Sequence, residues 1–277
     1  MAELESQTGF AEVNGARLYY EVAGTGHPLV LIHAGIADRR MWDNQFALFA
    51  RQYRVIRYDL RGLGQSAMPP GPYGLYQDLY GLLQYLGIAQ AHVIGVSIGG
   101  MTAVDFTLAH PEMVTALIPV AAGVSGSRPS EDSKALFEPI DAAYEARDLD
   151  RVLELEMDLW VVGPGRARDA IDPALRQAVE SMERPNLERE FAGEEGTFER
   201  LDPPAAGRLG EIQAPTLVIV GDADTPNTVA NAETLAAEIP GARKVVLPNV
   251  AHMVPMEAPN AFNRIVLDFL GSLPAGR

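Results

Sequence analysis

Hydrophobic runs recur along the chain and leave room for a helix between one run and the next. The runs lie at residues 28–32, 53–58, 91–95, 116–120, 215–220 and 243–247. Continuous apolar strands that alternate with helices indicate a parallel sheet covered by helices on both faces. The sequence therefore predicts an α/β fold with a mostly parallel sheet.

The first strands follow a different pattern. Residues 9–13 and 17–22 flank Asn14-Gly15, a pair that favours the type I′ turn of a β-hairpin. We expect this hairpin to form an antiparallel edge of the sheet.

Between residues 126 and 205 the chain has helical periodicity and charge but no convincing strand pattern. We expect a helical cap here, inserted into a core formed by residues 1–125 and 206–277. Trp160, Val161 and Val162 precede Gly163-Pro164-Gly165. We expect them to form a small core of the cap, and the alternative is that they line a pocket under a lid.

The segment Gly95-x-Ser97-x-Gly99 stands between a predicted strand and a predicted helix. This is the pattern of a nucleophile elbow, in which small neighbours allow a tight turn that exposes the serine. A serine hydroxyl needs a base that is oriented by a carboxylate.

Candidates for the base and the acid follow the last two predicted strands. Of the five histidines, His252 lies just past the last strand, and Asp222 and Asp224 follow the strand before it. The ends of parallel strands meet at one edge of such a sheet, so these groups are expected near Ser97. From the residues alone, either aspartate can be the acid.

Further motifs complete a pattern. Gly221-x-x-Asp224 is followed by His252, by Glu257-x-Pro259 and by Phe262-Asn263, and the segment 59–66 reads D-x-R-G-x-G-x-S. Over nearly its whole length the chain resembles the α/β-hydrolase fold enzymes, in the branch of serine esterases and enol-lactonases. The resemblance implies that Asp224 is the acid, that Asp222 is a bystander, and that residues 59–66 have a structural role.

The same resemblance implies an oxyanion hole, which needs two N–H donors near the substrate carbonyl. One donor is the amide of Ile98, and the other is the amide of Gly35 in the loop His33-Ala34-Gly35, which His33 braces, with Trp42 downstream. Ala34 stands where glycine is usual, Gly35 where an aromatic residue is often found and Ile36 where proline is frequent. Together these departures suggest a roomier acyl pocket. The expected pocket residues are Ile36, Trp160 and Met253.

The expected activity is hydrolysis of small carboxylic esters through an acyl-enzyme on Ser97. The alternatives are an enol-lactonase of the 3-oxoadipate type, or a slow hydrolase-fold protein that serves as a ligand receptor. For a lactonase, Arg39 or Arg40 is a candidate anchor for a substrate carboxylate, although we expect both to lie at a solvated helix start. Ser97 excludes relatives with an elbow aspartate, and residues 36–40 lack the Gly/Pro-rich loop typical of carbon–carbon bond hydrolases.

The net charge and the sequence motifs narrow the classes of molecule that the protein is expected to bind. The 277 residues carry a formal net charge of −15, which disfavours nucleic acid and anionic membranes. The expected partner is a small-molecule ester or lactone, and the oligomeric state stays open, a homo-oligomer included. No cofactor or metal is implied, since the sequence lacks a dinucleotide fingerprint and a metal-helix spacing. Residues 1–6 do not resemble a secretion signal, so we expect a cytoplasmic protein.

Overall fold

The computed structural model describes residues 6–128, 130–193 and 196–273. Most of the segment on which the cytoplasmic prediction rests, Met1 to Glu5, lies outside the described residues. Within the described ranges, no helix has the length and apolar character needed to cross a membrane.

The strands are β1 (Ser6–Val13), β2 (Ala16–Ala23), β3 (Pro28–Ile32), β4 (Arg54–Tyr58), β5 (Pro72–Tyr73), β6 (Ala91–Val96), β7 (Val114–Val120), β8 (Thr197–Phe198), β9 (Leu217–Gly221) and β10 (Arg243–Leu247). The α-helices are α1 (Asp43–Phe49), α2 (Leu75–Tyr85), α3 (Ile98–Ala109), α4 (Glu131–Glu145), α5 (Leu149–Glu156), α6 (Pro173–Phe191), α7 (Pro226–Glu238), α8 (Val254–Glu257) and α9 (Pro259–Gly271). A π-helix, Met157–Val162, continues directly from α5.

The main sheet has the strand order β1-β2-β4-β3-β6-β7-β9-β10. β1 pairs antiparallel with β2, and β2 pairs antiparallel with β4; the other neighbours are parallel. Asn14 and Gly15 have φ values of 48° and 76°, as a type I′ turn requires at both central positions. The predicted mostly parallel sheet and its antiparallel edge hairpin are confirmed.

The sheet is buried on both faces because its central strands are apolar without interruption. In β3, Leu29 and Leu31 point into one hydrophobic cluster, whereas Val30 and Ile32 point into the other. All four are fully buried. Helices α1 and α9 cover the first face, and α2, α3 and α7 cover the second.

Helices α4 to α6 and the π-helix lie between β7 and β9 in the chain. Their apolar side chains, such as Val152, Leu153 and Met182, join the cluster on the first face of the sheet. The expectation of no strand in this segment is wrong at one place, because Thr197–Phe198 pairs with Pro72–Tyr73. Two residues are too few to produce a recognisable period. The limits of the cap at residues 126 and 205 stay a prediction.

Candidate active site

Ser97 occupies a strained turn between β6 and α3. Its φ and ψ are 57° and −117°, a conformation that costs energy for any residue other than glycine. A Cβ on Gly95 would lie 2.1 Å from Gly99 O, and a Cβ on Gly99 would lie 2.5 Å from His33 O. Glycine is therefore required on both sides of Ser97, as the steric argument from the sequence predicts.

Asp224 and His252 are brought together beside the carboxyl ends of β9 and β10. His252 Nδ1 lies 2.7 Å from Asp224 Oδ2, and Asp224 Oδ1 accepts a hydrogen bond of 2.6 Å from the Thr225 amide. Both side chains of the pair are buried. No hydrogen bond joins Ser97 Oγ to the His252 ring, although both residues are among those described.

Asp222 has a different position. Its Oδ1 accepts a 2.6 Å hydrogen bond from the amide of Asn249, and its side chain is exposed. Asp222 therefore ties the turn after β9 to the loop after β10, while Asp224 holds the imidazole of His252.

The loop that contains Gly35 lies against Ile98, the residue after Ser97. A Cβ on Gly35 would lie 3.6 Å from Ile98 Cγ2, and both residues are partly exposed. Ile98 is the first residue of α3, so its N–H has no partner within the helix. Within the described part of the chain, neither amide donates to another protein group.

His33 braces the loop that carries Gly35. Its Nε2 accepts a 2.9 Å hydrogen bond from the Leu60 amide, so the proton of the neutral ring is on Nδ1, which donates to Ala34 O at 2.7 Å. Burial lowers the pKa of His33 and favours this neutral form. These contacts are those of a bracing residue and leave neither ring nitrogen for a substrate.

Hydrogen bonds to Asp59 and an ion pair of Arg61 hold the segment 59–66 in place. Asp59 accepts hydrogen bonds from the Arg39 amide at 2.8 Å and from the Gln65 amide at 2.7 Å, and the buried Arg61 pairs with Asp78 at 2.7 Å. These contacts are structural, as expected.

Arg39 departs from the prediction. Its guanidinium, with a side chain 13% exposed, is fixed between Glu21 and Asp59, so the solvated position expected for it is wrong. Arg40 is more exposed and pairs with Asp38 at 2.6 Å. Each cation already has a carboxylate partner, which weighs against either one as a substrate anchor.

The π-helix places Trp160 beside His252. The Trp160 ring lies 4.4 Å from the His252 ring, centroid to centroid, and 5.7 Å from Phe137. Val161 and Val162 join the core shared with the sheet. The expected separate core of the cap is thus wrong for Val161 and Val162, because their cluster contains side chains of the sheet as well as of the cap helices. Trp160 is partly buried against this cluster and lies between Phe137 of the cap and His252.

The other expected pocket residues have limited exposure. Ile36 is 8% exposed and Met253 is fully buried. Ile36 follows Gly35 in the loop after β3, and Met253 follows His252, so both are beside the site in the chain. Of these two residues, Ile36 keeps some exposed surface that a substrate could contact, whereas Met253 has none.

Two sets of contacts were missed by sequence reasoning. Arg166 pairs with Glu257 at 2.7 Å, and Glu257 also accepts a hydrogen bond of 2.7 Å from the Ala251 amide. The sequence marks Glu257 only as part of a motif and contains no signal that joins it to Arg166, 91 positions away.

The second set is on α6. Asn186 donates to Glu183 at 3.1 Å and to Ala37 O at 3.4 Å, and it accepts from the Gly64 amide at 3.0 Å. It thereby ties α6 to the two loops beside the elbow. Glu183 and Glu156 are buried close together, which periodicity does not reveal because both fall among charged helical residues.

A strained serine at a strand-to-helix elbow, with a buried aspartate–histidine pair at the same sheet edge, defines an α/β-hydrolase type of site. The model of the alpha/beta hydrolase family matches residues 29–265, and the chain belongs to this family.

Similar proteins include a 2-hydroxy-6-oxononadienedioate/2-hydroxy-6-oxononatrienedioate hydrolase from Burkholderia vietnamiensis, 31% identical over 92% of this chain and 91% of the relative. Another is the 3-oxoadipate enol-lactonase 2 of Acinetobacter baylyi, 30% identical over 82% of each chain. Among solved structures, a hydrolase from Pseudomonas aeruginosa matches with a TM-score of 0.78 and 31% identity, over 96% of this chain and 98% of the other. These likenesses support hydrolase activity.

Proposed function

We propose that the protein is a serine hydrolase that cleaves small carboxylic esters. The observation that carries this proposal is the 2.7 Å contact between Asp224 and His252, at the sheet edge where Ser97 forms the elbow. A buried carboxylate on Nδ1 leaves Nε2 to act as a base and stabilises the imidazolium that forms.

In the proposed reaction, Ser97 Oγ attacks the ester carbonyl carbon while His252 Nε2 takes the hydroxyl proton. The amides of Gly35 and Ile98 donate hydrogen bonds to the oxyanion, and each such donor is typically worth about 3 kcal/mol of barrier. His252 then gives its proton to the departing alkoxide. Water attacks the acyl-serine in the same way, and the acid and the free enzyme are released.

A lactonase of the 3-oxoadipate enol-lactone type is the second candidate, and the Acinetobacter baylyi relative favours it. A lactone is a cyclic ester, so the same steps open it. The pairing of Arg39 and Arg40 with carboxylates is the observation that ranks a carboxylated lactone below a neutral ester.

Two other activities stay open to test. The Burkholderia vietnamiensis relative is a hydrolase of a keto acid whose name contains no ester, so a keto-acid substrate belongs in the assay panel. A slow receptor with this fold would bind such ligands with little turnover, since fold alone does not decide function.

Hydrolysis of p-nitrophenyl acetate tests the proposal. Ser97→Ala is expected to lower kcat by at least about 10⁴-fold, because the nucleophile is lost while the rest of the site is kept. Ser181→Ala, an exposed position on α6, is the matched control and should behave as wild type. Equal rates for Ser97→Ala and wild type would contradict the role of Ser97.

A substrate panel then decides between the candidates. It should contain neutral esters of graded acyl length, neutral and carboxylated lactones, and a 6-oxo dienoic acid. The proposal predicts the largest kcat/KM for short neutral esters. Faster opening of a carboxylated lactone would favour the lactonase, and ligand binding without turnover by wild-type protein would favour the receptor.

A further inference from the structure

The cap backbone lies directly on the loops that carry the aspartate–histidine pair. Gly163, which ends the π-helix, has a φ of +94°, and a Cβ there would lie 2.5 Å from Ala223 O and 3.0 Å from Ala251 Cβ. Ala223 precedes Asp224, and Ala251 precedes His252. The two loops and the cap are therefore in van der Waals contact at the residues next to the pair.

The ion pair between Arg166 and Glu257 adds a second link between the cap and the His252 loop, three residues after Gly163. Arg166 Nη2 lies 2.7 Å from Glu257 Oε1, with side chains 16% and 12% exposed. The other oxygen of the carboxylate, Oε2, accepts the Ala251 N–H at 2.7 Å. Glu257 is thus held by the cap on one side and holds the backbone of the His252 loop on the other.

The ring of Trp160 limits the His252 side chain itself. Its centroid lies 4.4 Å from that of the imidazole, with 42° between the planes. Asp224 fixes the imidazole at Nδ1 but leaves it able to tilt about that hydrogen bond. The indole occupies one side of the ring and opposes the tilt.

We propose that Trp160 and Arg166 are positioning residues for the base, with Arg166 acting through Glu257 and the Ala251 amide. The inference rests on the proposed function, because it takes His252 as the base. Through these contacts the cap acts on the chemical step. A shift of about 1 Å in a reacting group can cost about 10²-fold in rate, so modest loosening of these contacts should be measurable.

Arg166→Met is the principal test. It leaves Glu257 without its cation, so the hydrogen bond from the Ala251 amide to Glu257 should hold the His252 loop less firmly. We expect kcat on p-nitrophenyl acetate to fall about 10- to 100-fold, with KM changed less than about twofold. Arg166→Lys should recover most of kcat, because lysine restores the positive charge and can donate the one hydrogen bond that Arg166 makes to Glu257. Arg168→Met is the matched control and should equal wild type, since this neighbouring arginine, 57% exposed, pairs with Asp158 and Glu154.

Outcomes that overturn the inference are distinct from failure of the proposed function. Equal kcat for Arg166→Met and Arg168→Met would overturn the positioning role. A rise in KM with unchanged kcat would overturn it as well, since it would place Arg166 in substrate binding. An inactive wild-type protein would instead contradict the proposed esterase.

A fluorescence measurement keeps the inference testable without turnover. Trp42 and Trp160 are the two tryptophans of the chain, so a Trp42→Phe background makes Trp160 the sole reporter of its contact with His252. In that background, Arg166→Met and the near-isosteric Glu257→Gln should change Trp160 emission, whereas Arg168→Met should not. Unchanged emission in both folded variants would overturn the coupling of the cap to the His252 loop.

Discussion

Two buried carboxyl groups in the cap predict that the protein loses stability as the pH rises. Glu156 on α5 and Glu183 on α6 are 7% and 4% exposed. Burial raises the pKa of Glu156 to about 7. Burial and the neighbouring charge of Glu156 raise the pKa of Glu183 well above its usual value. Glu190 faces the pair and disfavours ionisation further, and Tyr144 lies beside all three carboxyl groups.

The sign and the size follow from the difference between the folded and the unfolded chain. A carboxyl group with a raised pKa binds its proton more tightly in the folded state, so its contribution is complete below about pH 4.5 and is lost as the pH passes the folded value near 7. Each tenfold change in acidity is worth about 1.4 kcal/mol. Moving the pKa of Glu156 from 4.5 to about 7 therefore corresponds to about 3 kcal/mol, and Glu183 adds to that loss.

Urea unfolding followed by circular dichroism between pH 5 and pH 9 measures this loss. The double variant Glu156→Gln/Glu183→Gln should lose less of its free energy of unfolding over this range than wild type, with a difference of about 3 kcal/mol or more. Glu188→Gln is the control, since Glu188 is exposed and lies on α6 with Glu183. Its free energy of unfolding should follow that of wild type over the same pH range. Parallel curves for wild type and the double variant would refute the reasoning.

Three further predictions concern the site and its frame. Asp224→Asn should lower kcat on p-nitrophenyl acetate by about 10³- to 10⁴-fold through loss of the correct imidazole tautomer; Asp222→Asn should stay within a few-fold, and the reverse order would contradict the assignment. Gly99→Ala should yield little folded protein in an expression and thermal-unfolding assay, because its Cβ meets the oxygens of Ile32 and His33 at 2.6 and 2.5 Å. His33→Ala should leave the Leu60 amide unsatisfied and lower both kcat and the free energy of unfolding, the latter by about 1–3 kcal/mol; full activity would show that the loop needs no brace.

Sequence reasoning succeeded where a local pattern has one structural solution. Asn14-Gly15 permits φ above zero at both positions and so selects the hairpin turn. The glycines around Ser97 permit a close approach that no other residue allows. The apolar strands predict the sheet because their burial on both faces leaves no other arrangement for them.

It failed where the answer depends on which segment packs against which. Arg39 looks like a solvated residue in the sequence because its partners Glu21 and Asp59 lie 18 and 20 positions away. The contact of Trp160 with His252 is not visible in the sequence, because periodicity shows that a helix has an apolar face and not what covers it. The Arg166–Glu257 pair joins segments 91 positions apart, a separation at which spacing carries no information.

The π-helix at Met157–Val162 has a consequence for insertions and deletions in the cap. One residue more or less rotates the rest of a helix by about 100°, and the i→i+5 hydrogen bonds of a π-helix enclose one residue more than those of an α-helix. The π-helical turn therefore determines the direction in which the Trp160 side chain projects from the helix. Removing a single residue here, which would leave composition and hydrophobicity almost unchanged, would turn the indole away from His252, so chain length in this segment is as specific a determinant as residue identity.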